Sequence, residues 1–256
     1  MSGVPLGVIQ SEDATPPVNE TIFIMADGNN LNFLDLWLAS FPAAGAGDTA
    51  NFIINGSPVI GSADSNDPAI RTGVWPAGVN LNFTNNSSNV RGRGGDGNGP
   101  NPGKDGGDAF LAEAPITINN SGTLGGGGGG GAGTDQLTGT SAGGFQTYAA
   151  GGAGGAGNPG GSGFTPAGST NLASGTSGSA TTGGIGGGFG QDPNQPQNPN
   201  CKGGNGGSLG APGFDASDVA NPGSEDNVGG AAGYGVRNGN LVTWLNQGNL
   251  PGGILP

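Results

Sequence analysis

Few residues in this chain have side chains suited to catalysis, and they do not form a known catalytic arrangement. The sequence contains no histidine, which excludes the Ser-His-Asp and Cys-His arrangements. Its single cysteine, Cys201, stands next to Lys202, but no general base accompanies the pair, and we interpret the thiol as incidental. The chain is therefore not expected to be an enzyme.

Carboxylates are the remaining candidates for chemistry. No spacing marks a pair suited to glycoside hydrolysis among Asp105, Asp108, Glu113, Asp215 and Asp218. Asp96, Asp105 and Asp108 lie among glycines, as in calcium-binding turns, but their spacing matches no EF-hand loop. We expect solvated turn residues here, with no metal ion and no cofactor.

Charge and hydropathy argue against several further classes of function. The sequence GRGGDG at residues 92–97 lacks the Lys-Ser/Thr ending of a phosphate-binding loop. With six basic residues and a net charge of −12, the chain lacks the cations that bind phosphate backbones, so nucleic acid is not an expected partner. No stretch approaches the roughly 18 apolar residues of a membrane span, and residues 1–10 do not resemble a signal peptide. We expect neither membrane insertion nor export.

Glycine dominates the composition and draws attention to the backbone. The 256 residues include 61 Gly and 19 Pro, a content often found in disordered chains, but also ten Phe and three Trp. Residues 125–131 are seven consecutive glycines. Such a run suits either a flexible linker or an extended left-handed helix with three residues per turn, whose N–H and C=O groups bond to neighbouring segments.

The spacing of the other glycines favours the second structure. Glycine recurs at every third position at Gly151, Gly154, Gly157, Gly160 and Gly163, at Gly184, Gly187 and Gly190, and at Gly204, Gly207, Gly210 and Gly213. A linker has no reason to keep this period, and a collagen stem of so few triplets would be unstable. We predict several glycine helices packed side by side, with these structural glycines: Gly125, Gly128, Gly131, Gly151, Gly154, Gly157, Gly204, Gly207 and Gly210.

Regular secondary structure is predicted mainly before the glycine tracts. Residues 51–61, 81–92 and 116–125 share an alternating apolar pattern that leads to an asparagine (Asn55, Asn85, Asn119) and an aliphatic residue five positions later (Ile60, Val90, Leu124). Residues 241–252 repeat the pattern. These units predict a small β-sandwich or a partial β-solenoid. Residues 30–41 predict one short, buried helix, with Asn30 as its N-cap.

Long polar inserts interrupt the glycine tracts at residues 134–148, 164–182, 191–202 and 214–227. They are rich in Ser, Thr, Asn, Gln and Pro, and aromatic residues stand at or near their ends. Exposed loops on a rigid scaffold commonly carry binding residues, and adaptable polar side chains around an aromatic anchor are typical of antibody binding loops. The candidate binding residues are Phe145, Tyr148, Phe164, Phe189 and Phe214.

The sequence resembles glycine-rich phage tail-fibre proteins, including the distal adhesins of T-even-like phages. The passages that carry the resemblance are SPVIGSADSNDPAIRTGVWPAGVNLNF (57–83), VRGRGGDG (90–97), GGDAFLAEAPITINNSGTLGGGGGGG (106–131), the later GGAGGAG and GGNGG tracts, and RNGNLVTWL (237–245). The resemblance implies a polyglycine-II bundle whose end loops bind a protein or polysaccharide receptor on the bacterial surface. It also implies attachment of the N-terminal part to other tail or fibre proteins of the virion.

The resemblance further implies a location on the tail fibre or tail tip, after assembly in the host cytoplasm. A homotrimer is a further expectation, because most phage fibres are threefold. Residues 1–50 do not match the attachment region of the T-even adhesins, so their partner is left open. Two alternatives remain open as well: a structural virion component without receptor contact, and a glycine-rich ice-binding protein, although the uneven tracts do not suit a flat ice-binding face.

The predicted fold class is mainly β or irregular. A small N-terminal β region with one short helix precedes a bundle of polyglycine-II helices that carries loops. We predict a virion-attachment region at 1–50 with the helix near 31–41, a strand-repeat region at 51–124, the bundle with its recognition loops at 125–235, and a C-terminal strand at 236–256.

Overall fold

The structure is a computed structural model that describes residues 16–99, 101–134, 137–141, 144–165, 171–188, 201–218 and 227–256. Its described part consists mainly of strands, with one short α-helix, α1 (Phe33–Leu38), as predicted. In chain order the strands are β1 (Asn19–Ile24), β2 (Gly28–Asn29), β3 (Leu31–Asn32), β4 (Thr49–Ile54), β5 (Val59–Gly61), β6 (Ile70–Arg71), β7 (Asn80–Asn85), β8 (Asn89–Arg91), β9 (Phe110–Leu111), β10 (Ile116–Asn120), β11 (Thr123–Gly125), β12 (Leu137–Ser141), β13 (Gly144–Ala150), β14 (Asn171–Ala173), β15 (Cys201–Lys202), β16 (Ser217–Asp218), β17 (Val236–Arg237), β18 (Val242–Asn246) and β19 (Ile254–Leu255).

Three parallel sheets form a three-sided β-solenoid. Their strand orders are β1-β4-β7-β10-β18, β2-β5-β8-β11 and β3-β6-β9-β17-β19, so that successive coils of the chain add successive strands to each sheet. Asn19 pairs with Thr49, and Thr49 pairs with Asn80, which sets coils of about 30 residues. Of the two predicted arrangements, the solenoid is the one observed and the sandwich is wrong.

The solenoid interior contains a column of aromatic side chains. The Phe33 ring stacks on Phe52 with centroids 4.1 Å apart, and Phe83 stacks on Phe110 at 5.5 Å. The predicted aliphatic positions also coincide, because Ile60, Val90 and Leu124 are register partners in the second sheet and are fully buried. The strand repeat read from the sequence therefore corresponds to the coil of the solenoid.

The predicted asparagine alignment is wrong by one residue. Asn85 pairs with Asn120, not with Asn119, and its Nδ2 donates to Oδ1 of Asn120 at 2.9 Å. Side chains alternate between the two faces of a strand, so this one-residue difference places Asn120 in the interior beside Asn85. Both asparagines are fully buried, and their amides satisfy backbone groups in the corner that follows the first sheet.

The helix begins later than predicted, and its N-cap is Asn32 instead of Asn30. Oδ1 of Asn32 accepts the amide N–H of Leu34 at 3.0 Å. Asn30 has a left-handed backbone (φ 52°), and its side chain bonds to Ala63 and Pro68. The helix is also not buried on all sides, since Phe33 and Trp37 face the core while Leu38 is 50% exposed.

Ten extended segments rich in glycine lie side by side next to the solenoid. We number them rods 1 to 10; they comprise residues 92–99, 103–109, 126–134, 150–158, 160–165, 173–179, 183–188, 203–208, 211–216 and 227–235. Hydrogen bonds between rods recur at every third residue. The amides of Gly127 and Gly130 in rod 3 donate to Gly107 and Lys104 in rod 2, and those of Gly128 and Gly131 donate to rod 4.

Rod 3 is surrounded by six others. It bonds to rods 1, 2, 4, 8, 9 and 10, and these neighbours also bond to one another in the ring order 1-2-10-9-8-4. Rod 4 is likewise bonded to rods 1, 3, 5, 6, 7 and 8. The array is therefore hexagonally packed around two interior rods. This packing explains why rod 3 is glycine from Gly126 to Gly131, since every side of it meets a backbone.

The chain runs in alternate directions along the array. Rod 3 leaves the solenoid directly after β11, and rod 4 returns antiparallel to it, since Gly128 bonds to Ala156 and Gly131 bonds to Ala153. Rods 2 and 10 return into β9 and β17. Odd-numbered rods thus lead away from the solenoid and even-numbered rods lead back, with short reversals near the solenoid at 157–160, 179–183 and 208–211.

Candidate functional site

The alternating rods define a distal end of the array, on the side opposite the solenoid. Each outgoing rod ends there, at Gly99, Thr134, Thr165, Gly188 and Ala216. After each of the last four of these ends, a longer chain segment leads to the next returning rod. These segments are residues 135–149, 166–172, 189–202 and 217–226, with 15, 7, 14 and 10 residues. The described parts of these segments include a sheet of β12, β13 and β14 and a two-stranded pair of β15 and β16. The described rod ends that border these longer segments thus lie at one end of the array.

Two of the predicted aromatic residues are described in full. The Phe214 amide donates to Asn205 and its carbonyl accepts from Ala132, while its side chain is 62% exposed on rod 9. Phe164, at the end of rod 5, donates to Gly152 and is half-buried. Both lie near the distal end, but rods 5 and 9 share no described hydrogen bond, so the structure does not bring these two rings together.

The other three predicted aromatics are only partly described. Phe145 and Tyr148 lie on β13, where they are register partners of Thr140 and Leu137, and their side chains lie outside the described part. Phe189 lies outside the described residues. As binding residues, all five remain predictions.

Two exposed apolar residues near the distal end were missed by sequence reasoning. Ile185 on rod 7 is 67% exposed and Val228 on rod 10 is 55% exposed. Ile185 is the single non-glycine residue in the run GGIGGG. Because the other two residues of each triplet in this run face the backbone of adjacent rods, the side chain of the third residue must face outward. This triplet rule is the sequence signal that could have identified it.

Eight of the nine predicted structural glycines lie where a Cβ atom would collide with the backbone of another segment. A Cβ on Gly128, Gly131, Gly154 or Gly207 would approach a carbonyl oxygen of an adjacent rod to less than 3.0 Å, closer than real Cβ atoms come. The same holds at Gly151 and at Gly204, while a Cβ on Gly157 would approach an amide nitrogen. Gly125 differs, because its nearest atoms belong to the Leu209 side chain. Gly210 combines close backbone contact with a left-handed φ of 69°, where glycine is favoured.

The aspartates at the base of the array support the backbone. Asp96 bonds to Arg93 at 2.9 Å and accepts the Ser162 amide. Burial acts to raise the pKa of Asp96, but Ser162, Arg93 and Lys104 together lower it below its usual value. Burial raises the pKa of Asp108, against the opposing effects of the Tyr234 amide and of Arg237, whose guanidinium lies 2.6 Å from the carboxylate.

The described residues support neither a metal site nor a membrane-spanning helix. Over these residues, no three His, Cys, Asp or Glu side chains group in a way that could hold a metal ion. None of the described helices has the length and apolar character needed to cross a bilayer.

Comparison with known proteins identifies the class. The family model of the phage tail fibre adhesin Gp38 matches residues 19–255, so the chain belongs to this family. Its fold is similar to a chain in the crystal structure of the gp37-gp38 adhesin tip complex of the bacteriophage S16 long tail fiber, with a TM-score of 0.59 and 27% identity. The match covers 93% of this chain and 82% of that chain. No curated protein matches the sequence.

The protein is therefore a phage tail-fibre adhesin of the fibre tip, and its place is on the tail of the virion. The resemblance stated from the sequence is confirmed. An adhesin family of this fold is a structural, non-enzymatic class.

Proposed function

We propose that the distal end of the rod array binds a receptor on the host bacterial surface, and that the solenoid attaches the protein to the fibre. One observation carries the proposal: the outgoing rods all end on the side opposite the solenoid, and the longer excursions follow there. A rigid scaffold that groups its longer loops at one end is the arrangement in which loops commonly bind.

We also propose that the rods are polyglycine-II helices that hold this end rigid. The period of three, the bonds to as many as six neighbours and the missing space for Cβ atoms support this. In such a lattice each backbone N–H and C=O of an interior rod is paired, so the interior needs no side chains. Rigidity lowers the entropy cost of ordering the distal segments on binding.

The receptor-binding role is tested by replacing residues 137–147 and 166–170 with Gly-Ser sequence of equal length. Loss of adsorption to host cells, with an unchanged melting temperature, is the expected result. The control variant is Thr181→Ala, which changes the chain reversal at 179–183 near the solenoid. Protein with this substitution should adsorb to host cells normally. Undiminished adsorption by the replaced protein would exclude residues 137–147 and 166–170 as the binding site.

Attachment is proposed at the first coil of the solenoid. β1, β2 and β3 each form an edge of their sheets in the described structure, so three backbone edges lie at the same end. Phe23 and Met25 are 56% and 72% exposed beside this end. Edge strands readily accept a further strand, and exposed apolar side chains favour a partner.

The similar solved structure contains gp38 together with gp37, which supports association of this chain with another fibre protein. That the partner binds the first coil, that residues 1–50 are the attachment region, and that the protein assembles in the host cytoplasm are proposals. β4 includes residue 50, where the predicted attachment region ends, so the residues on both sides of this boundary belong to one sheet. The homotrimer and the remaining divisions of the chain stay predictions.

A further inference from the structure

A cleft of about 820 Å³ lies between the solenoid and one side of the array. Rods 1, 2 and 10 form one wall, and residues 64–66 and Arg237 of the solenoid form the other. The cleft extends along rod 2 from Gly103 to Asp108, and its lining includes none of the segments 135–149, 166–172, 189–202 and 217–226 that follow the other outgoing rods. Its volume falls within the roughly 300–1,000 Å³ typical of small-ligand sites.

Charged residues are concentrated in this cleft to an unusual degree. Only 9% of the chain is charged, with six basic residues, yet three of those six line the cleft: Arg93, Lys104 and Arg237. Four aspartates accompany them: Asp64, Asp96, Asp105 and Asp108. The opposite charges nearly cancel, and most are paired with each other, so the cleft offers no strong field for either a cation or an anion.

Several polar groups of the cleft keep hydrogen-bonding capacity toward solvent. Lys104 is 62% exposed and lies 3.6 Å from Asp96, a loose pairing that leaves ammonium protons free. Asp105 bonds to Ala231 through Oδ1, and Asp64 caps its own loop through Oδ1, so their Oδ2 atoms accept no bond from the described residues. The cleft thus presents both donors and acceptors.

Tyr234 adds an aromatic surface to these polar groups. Tyr234 is half-buried and is one of the residues that line the cleft, and its backbone is fixed by the bond from its amide to Asp108. A tyrosine offers an apolar ring face together with a hydroxyl that donates and accepts. The alanines and glycines beside it leave no large aliphatic surface among the lining residues, so an apolar ligand would find little to contact.

We propose that this cleft binds a neutral saccharide. A sugar ring presents hydroxyl groups, which both donate and accept, around a C–H face that packs on an aromatic ring. That chemistry matches free donors, free acceptors and one tyrosine in a cleft of nearly balanced charge. The proposal concerns a site that includes none of the distal segments proposed to bind the receptor, and it does not depend on the receptor-binding role.

The test measures the binding of simple glycosides to the full chain by saturation-transfer NMR. The probes are the methyl glycosides of glucose, galactose, mannose and N-acetylglucosamine, with methyl glucuronide and inorganic phosphate as anionic probes. At least one neutral glycoside should bind with a millimolar Kd. Two variants should each weaken glycoside binding about tenfold or more. Asn66→Trp fills the cleft from an exposed loop, and Tyr234→Ala removes the aromatic ring.

Matched controls lie outside the cleft. Lys104→Ala should weaken glycoside binding, whereas Lys202→Ala, at an exposed lysine on β15, should not. Asn240→Trp is the corresponding control for Asn66→Trp. The proposal is overturned if no neutral glycoside binds at about 10 mM, if only the anionic probes bind, or if binding survives Asn66→Trp. Distal replacements at 137–147 and 166–170 should leave glycoside binding intact, which separates this result from the adsorption experiment.

Discussion

The amide of Gly128 donates to the carbonyl oxygen of Ala156 at 2.7 Å, between two rods that run in opposite directions. Neither residue contributes a side chain larger than a methyl group to this contact, and both are fully buried. Bonds of this kind replace the apolar core that other domains use. The scaffold therefore depends on backbone shape at each interior position.

Gly128→Ala should destabilise the protein strongly. The new Cβ would lie closer than 3.0 Å to the carbonyl oxygens of Gly207 and Ser208, so rods 3 and 8 must separate and lose hydrogen bonds. We expect a loss of about 3 kcal/mol or more in the free energy of unfolding, measured by thermal or denaturant unfolding.

Gly45→Ala is the matched control, because a Cβ there would meet only Oδ2 of Asp48 at an ordinary 3.8 Å. Equal stability of the two variants would mean that the rods are not packed against one another.

Stability should fall in acid through Asp48. Its carboxylate accepts the amides of Gly45 at 2.7 Å and Val18 at 2.9 Å, and these two bonds lower its pKa from 3.8. Because the folded state binds fewer protons at this group, its contribution is complete above pH 3.8 and is lost as the pH falls through the lowered value.

Asp48→Asn should therefore lower the melting temperature at neutral pH and reduce the further loss on acidification, followed by circular dichroism from about pH 6 to pH 2. Asp67→Asn, which removes an exposed carboxylate without a described hydrogen bond to its side chain, serves as the control. Parallel acid profiles for wild type and Asp48→Asn would contradict this role.

Phe23→Asp should impair incorporation into the fibre without unfolding the protein. The side chain is 56% exposed on the edge strand β1, and a charge there would oppose burial against a partner. Virions can be assayed for bound adhesin by immunoblotting.

Leu245→Asp places the same charge at a side chain that is 72% exposed on β18, the strand at the opposite edge of the sheet from β1, and it should be incorporated normally. Normal incorporation of Phe23→Asp would rule out the first coil as the attachment surface.

Phe214→Ala should weaken host binding with little change in stability. The ring is 62% exposed, so its removal leaves no cavity, whereas exposed aromatic anchors commonly dominate binding energies. A cost of about 1–3 kcal/mol in binding is expected, measured by adsorption of the purified protein to host cells. Ile185→Ala tests a second exposed apolar side chain, on rod 7. If Phe214→Ala binds as well as wild type, this residue is not an anchor.

The sequence predicted those features that arise from local periodicity. The period of three in Gly151, Gly154 and Gly157 indicated laterally bonded segments, and the spacing of Ile60, Val90 and Leu124 matched the coils of the solenoid. Both periods follow from residues that face a neighbour at fixed intervals along the chain.

Features that depend on distant partners were not predictable. Asn30 precedes an apolar run, as an N-cap does, but bonds with residues 63 and 68 hold it in a left-handed turn and leave the cap to Asn32. The hexagonal packing and the alternating directions of the rods arise from bonds between residues far apart in the chain, such as Gly106 and Ala231. The charged cleft likewise combines Asp64, Lys104 and Tyr234 from three separate parts of the chain.

The most direct test of the account is a transfer of host specificity. The segments 137–147, 166–170, 189–200 and 219–226 would be exchanged together for the corresponding segments of a family member from a phage with another host, while the rods and the solenoid stay unchanged. Adsorption of the resulting phage would then be measured on both hosts. The account predicts that it adsorbs to the donor's host and no longer to its own. A host range that stays with the rods and the solenoid would contradict it.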